Sequence, residues 1–214
     1  KTYYLNYDLS GDFDILFNGY AISRNRKEGV KMSFEYLNPY ISKSGIQTIS
    51  LSLKHLNSNL KINPETLKGI SIDVYSSENG EQPPFEKIHV FKLPDYKVEQ
   101  SSIFYTWTCE ADVPFEITTL DDALDLAKEN PEELLKEVIQ AYENVHDLIN
   151  QGKIEDYLLL YKKSREREMI SMYYDAAQQK DYLKGLAKRA SSSIGFMQPL
   201  TDIKLLIHPN NKIV

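Results

Sequence analysis

The chain has 214 residues, of which 42% are hydrophobic and 26% are charged, and its formal net charge is −6. This composition is typical of a globular protein and excludes a chain that is disordered throughout. The acidic balance, without a run of Lys or Arg interleaved with aromatics, argues against nucleic-acid binding, and no apolar stretch approaches the length of a membrane-spanning helix.

Apolar and polar side chains alternate along short segments in the first half of the chain, which predicts seven or so strands. The predicted strands cover residues 3–9, 13–17, 30–36, 49–53, 70–74, 88–93 and 103–109. Turn dipeptides separate them, namely Asn18-Gly19, Asn38-Pro39, Asn79-Gly80 and Pro83-Pro84. Many short strands with such turns are typical of an antiparallel β-sandwich.

The apolar period changes to three or four residues near position 118, which indicates helices. Asn130-Pro131-Glu132 is a strong start signal, because Asn caps free amides, Pro fits the first turn and acids favour the positive helix end. An apolar stripe follows, and Gln151-Gly152 ends this helix. Other helices are predicted from 119 to about 129, from 153 into the 170s, and for a turn or two around 182–186.

Strand-like sequence returns at the end of the chain. Residues 203–207 and 212–214 flank His208-Pro209-Asn210-Asn211, which predicts a short β-hairpin. The predicted fold class is therefore α+β. An N-terminal antiparallel β-sandwich, jelly-roll-like and covering residues 1–117, is followed over residues 118–214 by a helical hairpin or bundle and the short C-terminal β-hairpin.

Residues that carry catalytic or metal chemistry are sparse. The four histidines show no metal-ligand spacing; they are His55, His89, His146 and His208. The single cysteine, Cys109, alternates with Trp107 and Tyr105, which is typical of a small buried hydrophobe, and it allows no internal disulfide. Because the sequence also lacks a Gly-rich phosphate loop, a GxSxG motif and a Walker lysine, it predicts no enzyme, no cofactor and no catalytic or metal-binding residue.

Three acidic residues near the first turn faintly resemble a calcium loop. They are Asp8, Asp12 and Asp14. The EF-hand spacing is absent, so we interpret the segment as a polar hairpin turn with outward carboxylates.

Charge is uneven along the helical region. Residues 118–147 hold nine acids and two Lys, whereas residues 153–190 hold nine bases and six acids. Antiparallel packing of these two segments would bring opposite charges near one another. Such pairs would fix the relative orientation of the helices more than they would add to the stability of the fold. The functional alternative is an acidic face that binds a basic partner.

A run of turn and strand residues resembles galactose-binding-like jelly-roll domains, which include accessory domains of glycosidases. The run comprises Phe17-Asn18-Gly19, Asn38-Pro39-Tyr40-Ile41, Gly45 and Thr48-Ile49-Ser50-Leu51, within residues 13–53. The resemblance implies a β-sandwich and, in many members, carbohydrate binding. The chain holds a single Trp rather than an evident ring of them, and no ligand residue is carried over.

The leading hypothesis is a non-enzymatic bacterial envelope protein that binds another protein through the sandwich edge, its loops or the acidic helices. An inhibitor that neutralises a toxin, similar in style to immunity proteins, is one concrete form. The alternatives are a carbohydrate-binding module and an enzyme with an unrecognised site between the sandwich and the helices. Because the sequence begins at Lys1 rather than Met, we expect a removed export signal and a periplasmic or secreted location.

Overall fold

The computed structural model describes residues 1–57, 59–78, 83–117, 123–207 and 211–213. The chain forms two compact units, Lys1–Ile117 and Thr118–Val214. Within the described residues, the first unit contains two antiparallel four-stranded sheets and the second contains four of the five α-helices, so the fold is mixed α+β.

Eight strands form in the described part of the first unit. They are β1 (Thr2–Ser10), β2 (Asp12–Phe17), β3 (Tyr20–Asn25), β4 (Val30–Tyr36), β5 (Gly45–Lys54), β6 (Ser71–Ser77), β7 (Glu86–Lys92) and β8 (Ser102–Ala111). The first sheet has the order β4-β1-β6-β7 and the second has the order β3-β2-β5-β8. Each of the seven predicted strands is confirmed. Strand β3 was not predicted, because Tyr20 and Ile22 are its only large apolar residues and small or polar residues fill the rest.

Both sheets contribute to one hydrophobic core. Its fully buried side chains include Leu5, Tyr7, Leu9, Phe13, Ile15, Phe17, Ile49, Leu51 and Ile72. These residues recur at every second position of their strands, so each strand buries one face. Each such side chain contributes about 1.5–3 kcal/mol by its removal from water.

Asn18 shows how a predicted turn is built. Asn18 and Gly19 have φ values of 49° and 79°, and together they join β2 to β3 in the positive-φ conformation that tight hairpins favour. The Asn18 carboxamide also accepts a hydrogen bond from the Thr48 amide at 2.9 Å and donates to the Tyr40 carbonyl oxygen at 2.9 Å. The turn is thereby tied to the neighbouring strand β5.

The first half also contains a helix and a 3-10 turn, neither of which was predicted from the sequence. Helix α1 (Pro64–Lys68) lies between β5 and β6, and a 3-10 turn spans Asn38–Tyr40. Asn63 caps α1 by accepting hydrogen bonds from the Glu65 and Thr66 amides. Asn63-Pro64-Glu65 repeats the start signal of residues 130–132, so the sequence did carry the information.

The second unit contains α2 (Pro131–Asn150), α3 (Ile154–Leu160), α4 (Lys162–Ser171) and α5 (Ala176–Ser191). The predicted helix α2 is confirmed, with the Asn130 carboxamide accepting from the Glu132 and Glu133 amides. The helix predicted from residue 153 is interrupted at Tyr161, which separates α3 from α4. Helix α5 is longer than predicted, because Asp175 and Gln178 form a reciprocal capping box at its start.

Two predictions for the second unit are wrong where the structure describes them. The helix predicted over 119–129 is a single 3-10 turn at Leu126–Lys128, and residues 118–122 lie outside the described residues. The C-terminal hairpin does not form, since 203–207 and 211–213 contain no strand; its turn at 208–210 and residue 214 are not described. The Asn211 carbonyl oxygen instead accepts from the Leu126 amide at 2.8 Å, so this end pairs with the 3-10 turn.

Within the described residues, none of the helices combines the length and the apolar character needed to cross a bilayer.

Candidate functional site

Strand β4 turns its apolar side chains away from the core. Its register with β1 places Met32 opposite Asp8 and Phe34 opposite Asn6, on the outer face of the first sheet. Met32 is 71% exposed and Phe34 is 42% exposed. The complete outward row of the strand is Val30, Met32, Phe34 and Tyr36. The apolar row of β4 therefore faces outward, whereas the apolar row of its neighbour β1 faces the core.

Five aromatic rings lie together on this outer face. Phe34 stacks on Tyr4 with 4.8 Å between ring centroids and meets Tyr75 edge-on at 5.6 Å. Phe85 packs edge-on against Tyr4 and Phe34, and Tyr36 lies 5.3 Å from Tyr4. We define the aromatic face as Tyr4, Phe34, Tyr36, Tyr75 and Phe85, together with the exposed Val30 and Met32 and, at its far edge across Asn6 and Asp73, Val90.

The aromatic face has charged neighbours, of which Asp8, opposite Met32, is exposed. Lys87 forms an ion pair with Asp73, and its ammonium group lies 5.3 Å from the centroid of the Tyr75 ring. The Ser71 hydroxyl also donates to Asp73, at 2.9 Å. Aromatic residues and Met are the residue types enriched at the centre of protein–protein interfaces, and this face combines five aromatic rings with the exposed Met32.

The outer face of the second sheet carries hydroxyl groups at its middle, with the exposed Ile46 and Phe104 on either side of them. Ser50 and Thr106 face each other across β5 and β8, with 2.8 Å between their hydroxyl oxygens. Thr48 and Thr108 form the next such pair along the two strands. We define the hydroxyl face as Thr48, Ser50, Ser52, Thr106 and Thr108. Because it lies on a sheet of the same unit, it provides matched control positions.

Polar side chains on the inner side of β4 form a network with β1 and β3. The Lys31 ammonium donates to the Ser23 hydroxyl at 2.9 Å, and the Tyr7 hydroxyl contacts Ser23 and donates to Glu35 at 3.3 Å. A Ser–Lys contact is one route to a nucleophilic serine. Ser23, however, is 6% exposed and shares its hydroxyl with Tyr7, whose pKa is raised by burial. We interpret the network as a structural one, whose hydrogen bonds link the edge strands β3 and β4.

Two of the three candidate calcium ligands are bound by cations. Arg26 contacts Asp12 at 2.8 Å and Asp14 at 2.6 Å, and Arg24 contacts Asp14 at 2.7 Å. Asp8 lies apart from them, on the outer face of the first sheet. Among the described residues there is no group of three or more His, Cys, Asp or Glu arranged to hold a metal ion.

The Asp14 ion pairs predict an acid-dependent loss of stability. Partial burial acts to raise the pKa of Asp14, but hydrogen bonds from Arg24 and Arg26 outweigh it and lower the pKa. A carboxyl with a lowered pKa contributes stability that is lost as the pH falls through that folded-state pKa. We expect Asp14→Asn to lower the free energy of unfolding near neutral pH by up to about 1 kcal/mol.

This difference between wild type and Asp14→Asn should shrink as acid is added, when measured by urea unfolding over the acidic range. Asp8→Asn serves as the control, because Asp8 is exposed and forms none of these ion pairs. A difference that stays constant with pH would show that the arginines do not stabilise the charged form of Asp14.

An open pocket of about 360 Å³ lies in the first unit. Its lining includes Lys1, Tyr3, Ser76, Ile88, Glu110 and Asp112. The Tyr3 hydroxyl donates to the carbonyl oxygen of Asp112 at 3.2 Å and accepts from the Asp112 amide at 2.7 Å. Tyr3 thus holds the end of β8 in place, and the pocket is lined by both acidic and basic side chains.

The single tryptophan joins the edge strands β7 and β8. The Trp107 indole N–H donates to the Lys92 carbonyl oxygen at 3.0 Å. Its ring lies 5.8 Å from Phe91 and 5.0 Å from Tyr105, and Phe91 stacks on His89. Trp107 is therefore packed among other rings, which reduces the ring face that it can offer to a sugar.

The structure brings no two of the described histidines together as ligands. His55 Nδ1 accepts from the Asn57 amide, His89 stacks on Phe91, and His146 Nδ1 lies 2.9 Å from Asp147. His208 is outside the described residues. None of these three environments resembles a catalytic or metal-binding site.

Cys109 is 7% exposed, as its alternation with Trp107 predicted, and burial raises the pKa of its thiol to about 11. Because the thiolate is the reactive form, we expect Cys109 to resist iodoacetamide at neutral pH in the folded protein and to react readily in denaturant. Mass spectrometry after timed alkylation measures both rates. Equal rates in the two conditions would contradict the burial of this thiol.

Charges in the second unit are not paired across helices. Among the described residues no ion pair joins α2 to α4 or α5. On α5, Lys180, Lys184 and Lys188 recur every four residues and are all exposed. The opposite charges of this unit therefore form none of the interhelical ion pairs that antiparallel packing would allow.

No known protein family, curated protein or solved structure matches this chain. The resemblance of residues 13–53 to galactose-binding-like domains therefore stays a prediction.

No binding residue was predicted from the sequence, and the aromatic face was not foreseen. The sequence did indicate an aromatic ring on the outer face of β1, since Tyr3 and Tyr4 are adjacent and therefore point to opposite faces of the strand. The contacts of Tyr4 with Phe34 and Phe85 join residues far apart in the chain, which periodicity alone does not reveal.

Proposed function

We propose that this chain is a non-enzymatic binding protein and that it engages another protein through the aromatic face. The observation that carries the proposal is the outward orientation of β4, which leaves Met32 and Phe34 exposed beside four further aromatic rings. Contiguous apolar surface of this kind costs solubility, and soluble proteins keep it mainly where a partner covers it.

The geometry of the rings favours a protein over a carbohydrate. Tyr4, Phe34 and Phe85 pack against one another, so much of their ring area is already used inside the cluster. A sugar site would need ring faces open to stacking, whereas a protein partner can pack on the mixed surface of Phe34, Met32 and Val90. Carbohydrate binding is the alternative function.

The type of sandwich, the role of the partner and the location of the protein are finer parts of the proposal. A jelly-roll-like β-sandwich is supported by the core that both sheets share. A toxin-neutralising role, a bacterial envelope origin and a periplasmic or secreted location stay predictions from the sequence. An enzyme stays a second alternative that was predicted from the sequence.

The proposal is tested by affinity capture from the native organism with immobilised wild type and three variants. Met32→Asp and Val90→Asp place a charge at opposite edges of the aromatic face, and Thr106→Asp places the same charge on the hydroxyl face. We expect one protein to be retained by wild type and Thr106→Asp, and retained at least about tenfold less by the other two variants.

A glycan array probed with the same four proteins completes the experiment. Strong glycan binding without any retained protein would overturn the proposal in favour of a carbohydrate-binding module. Equal capture by all four proteins would show that a partner binds elsewhere on the chain.

A further inference from the structure

Strand β4 is the edge strand of the first sheet and pairs there with β1. Its outward row, Val30, Met32, Phe34 and Tyr36, is uncharged, so the charges that could prevent pairing with another chain are confined to its inward row. Its inward row places Lys31 and Glu35 on either side of Ser33. This arrangement is self-complementary.

We propose that β4 pairs antiparallel with β4 of a second copy of this chain, with Ser33 on the twofold axis. In this register Lys31 lies opposite Glu35 of the second copy, and Glu35 lies opposite its Lys31. Opposite charges directly across an antiparallel pair are stabilising, and like charges there are destabilising. The two ion pairs supply the charge complementarity that selects a second copy as the occupant.

The outward row matches in the same register. Met32 lies opposite Phe34 of the second copy, and Val30 lies opposite its Tyr36, so apolar side chains meet apolar side chains along the strand. A shift by one residue would set inward residues against outward ones. A shift by two residues would place Lys31 and Glu35 opposite residues other than each other, so both ion pairs would be lost. Centring on Ser33 alone uses all seven residues and pairs both charges.

The contacts within one chain are compatible with this pairing. Lys31 donates to the Ser23 hydroxyl at 2.9 Å and to the Arg24 carbonyl oxygen at 3.0 Å, and Glu35 accepts from the Ser33 hydroxyl at 2.7 Å. An ammonium group has three N–H donors and a carboxylate has several lone pairs, so each retains capacity for a partner. The dimer would contain one continuous eight-stranded sheet with twofold symmetry.

Sedimentation velocity over a wide range of protein concentration tests the proposal. Wild type should change from the 24.7 kDa chain to a species of about twice that mass as its concentration rises. Lys31→Glu alone and Glu35→Lys alone each set like charges opposite one another twice, so each variant should dimerise at least about tenfold more weakly. An equimolar mixture of the two variants restores both attractive pairs and should dimerise again.

Each alternative outcome has a defined meaning. A wild type that stays monomeric at every concentration overturns the proposal, and so does a dimer that both single substitutions leave unchanged. A loss of dimer that mixing does not restore also overturns it. Partner capture by Val90→Asp does not involve β4, so the proposed function and this inference can fail separately.

Oxidative cross-linking provides a measurement that does not depend on the charge variants. Ser33→Cys should form an intermolecular disulfide, since directly opposed residues of an antiparallel pair lie within disulfide range. Ser50→Cys on the hydroxyl face is the matched control and should not. The native Cys109 is buried and does not compete. Equal cross-linking of Ser33→Cys and Ser50→Cys would reject this register.

Discussion

Replacing Ile49 by alanine is expected to lower the free energy of unfolding by about 3–4 kcal/mol. Ile49 is fully buried on the inner face of β5, where it lies opposite Phe17 on one side and Trp107 on the other. Removing three carbon atoms there leaves a cavity between neighbours that are held by both sheet ladders, so the core cannot collapse fully around it. Urea unfolding followed by circular dichroism measures the loss.

The matched control is Ile46→Ala on the same strand. Ile46 points to the outer side of β5 and is 73% exposed, so the same truncation should cost less than about 0.5 kcal/mol. Similar losses for Ile46→Ala and Ile49→Ala would contradict the assignment of inner and outer faces in this sheet.

Asn38→Ala is expected to lower the free energy of unfolding by about 2–3 kcal/mol. Asn38 is fully buried; its side-chain oxygen accepts from the Tyr3 amide at 2.8 Å, and its side-chain nitrogen donates to the Lys1 carbonyl oxygen at 3.1 Å. Alanine leaves both backbone groups without these bonds, and unsatisfied polar groups in a protein interior are costly.

Asn57→Ala is the control for this prediction. The Asn57 side chain also accepts from a nearby amide, that of Asn59 at 3.0 Å, but the residue is exposed and water can replace it. We expect a change within about 0.5 kcal/mol. If Asn38→Ala were as mild as Asn57→Ala, the start of β1 would not depend on the buried carboxamide.

Much of the fold follows from local chemistry that the sequence displays. The alternation in β1, β2, β5 and β8 predicts strands because each buries one face, and Asn130 with Pro131 predicts the start of α2. Two predictions failed for different reasons. Asn63-Pro64 was overlooked as a helix start, and the apolar residues of 203–207 predicted a strand although no neighbouring strand pairs with them in the described structure.

The candidate site could not be predicted in the same way. An apolar alternation specifies that a strand has two unlike faces, but it does not specify which face meets the core. For β4 the answer depends on the register with β1 and on two polar partners on its inner side. Ser23 accepts a hydrogen bond from Lys31, and Tyr7 donates one to Glu35. These contacts are non-local, so only the folded chain reveals that the apolar row faces outward.

The orientation of β4 is tested most directly by timed oxidation of the methionines with dilute peroxide, read by mass spectrometry. Met32 is 71% exposed on β4, whereas Met169 is 7% exposed on α4 and serves as the internal control. Since oxidation follows exposure, Met32 should react much faster than Met169 in the folded chain, and the two rates should converge in denaturant. Slow oxidation of Met32 at the rate of Met169 in the folded chain would place the β4 row in the core and contradict the proposed binding face.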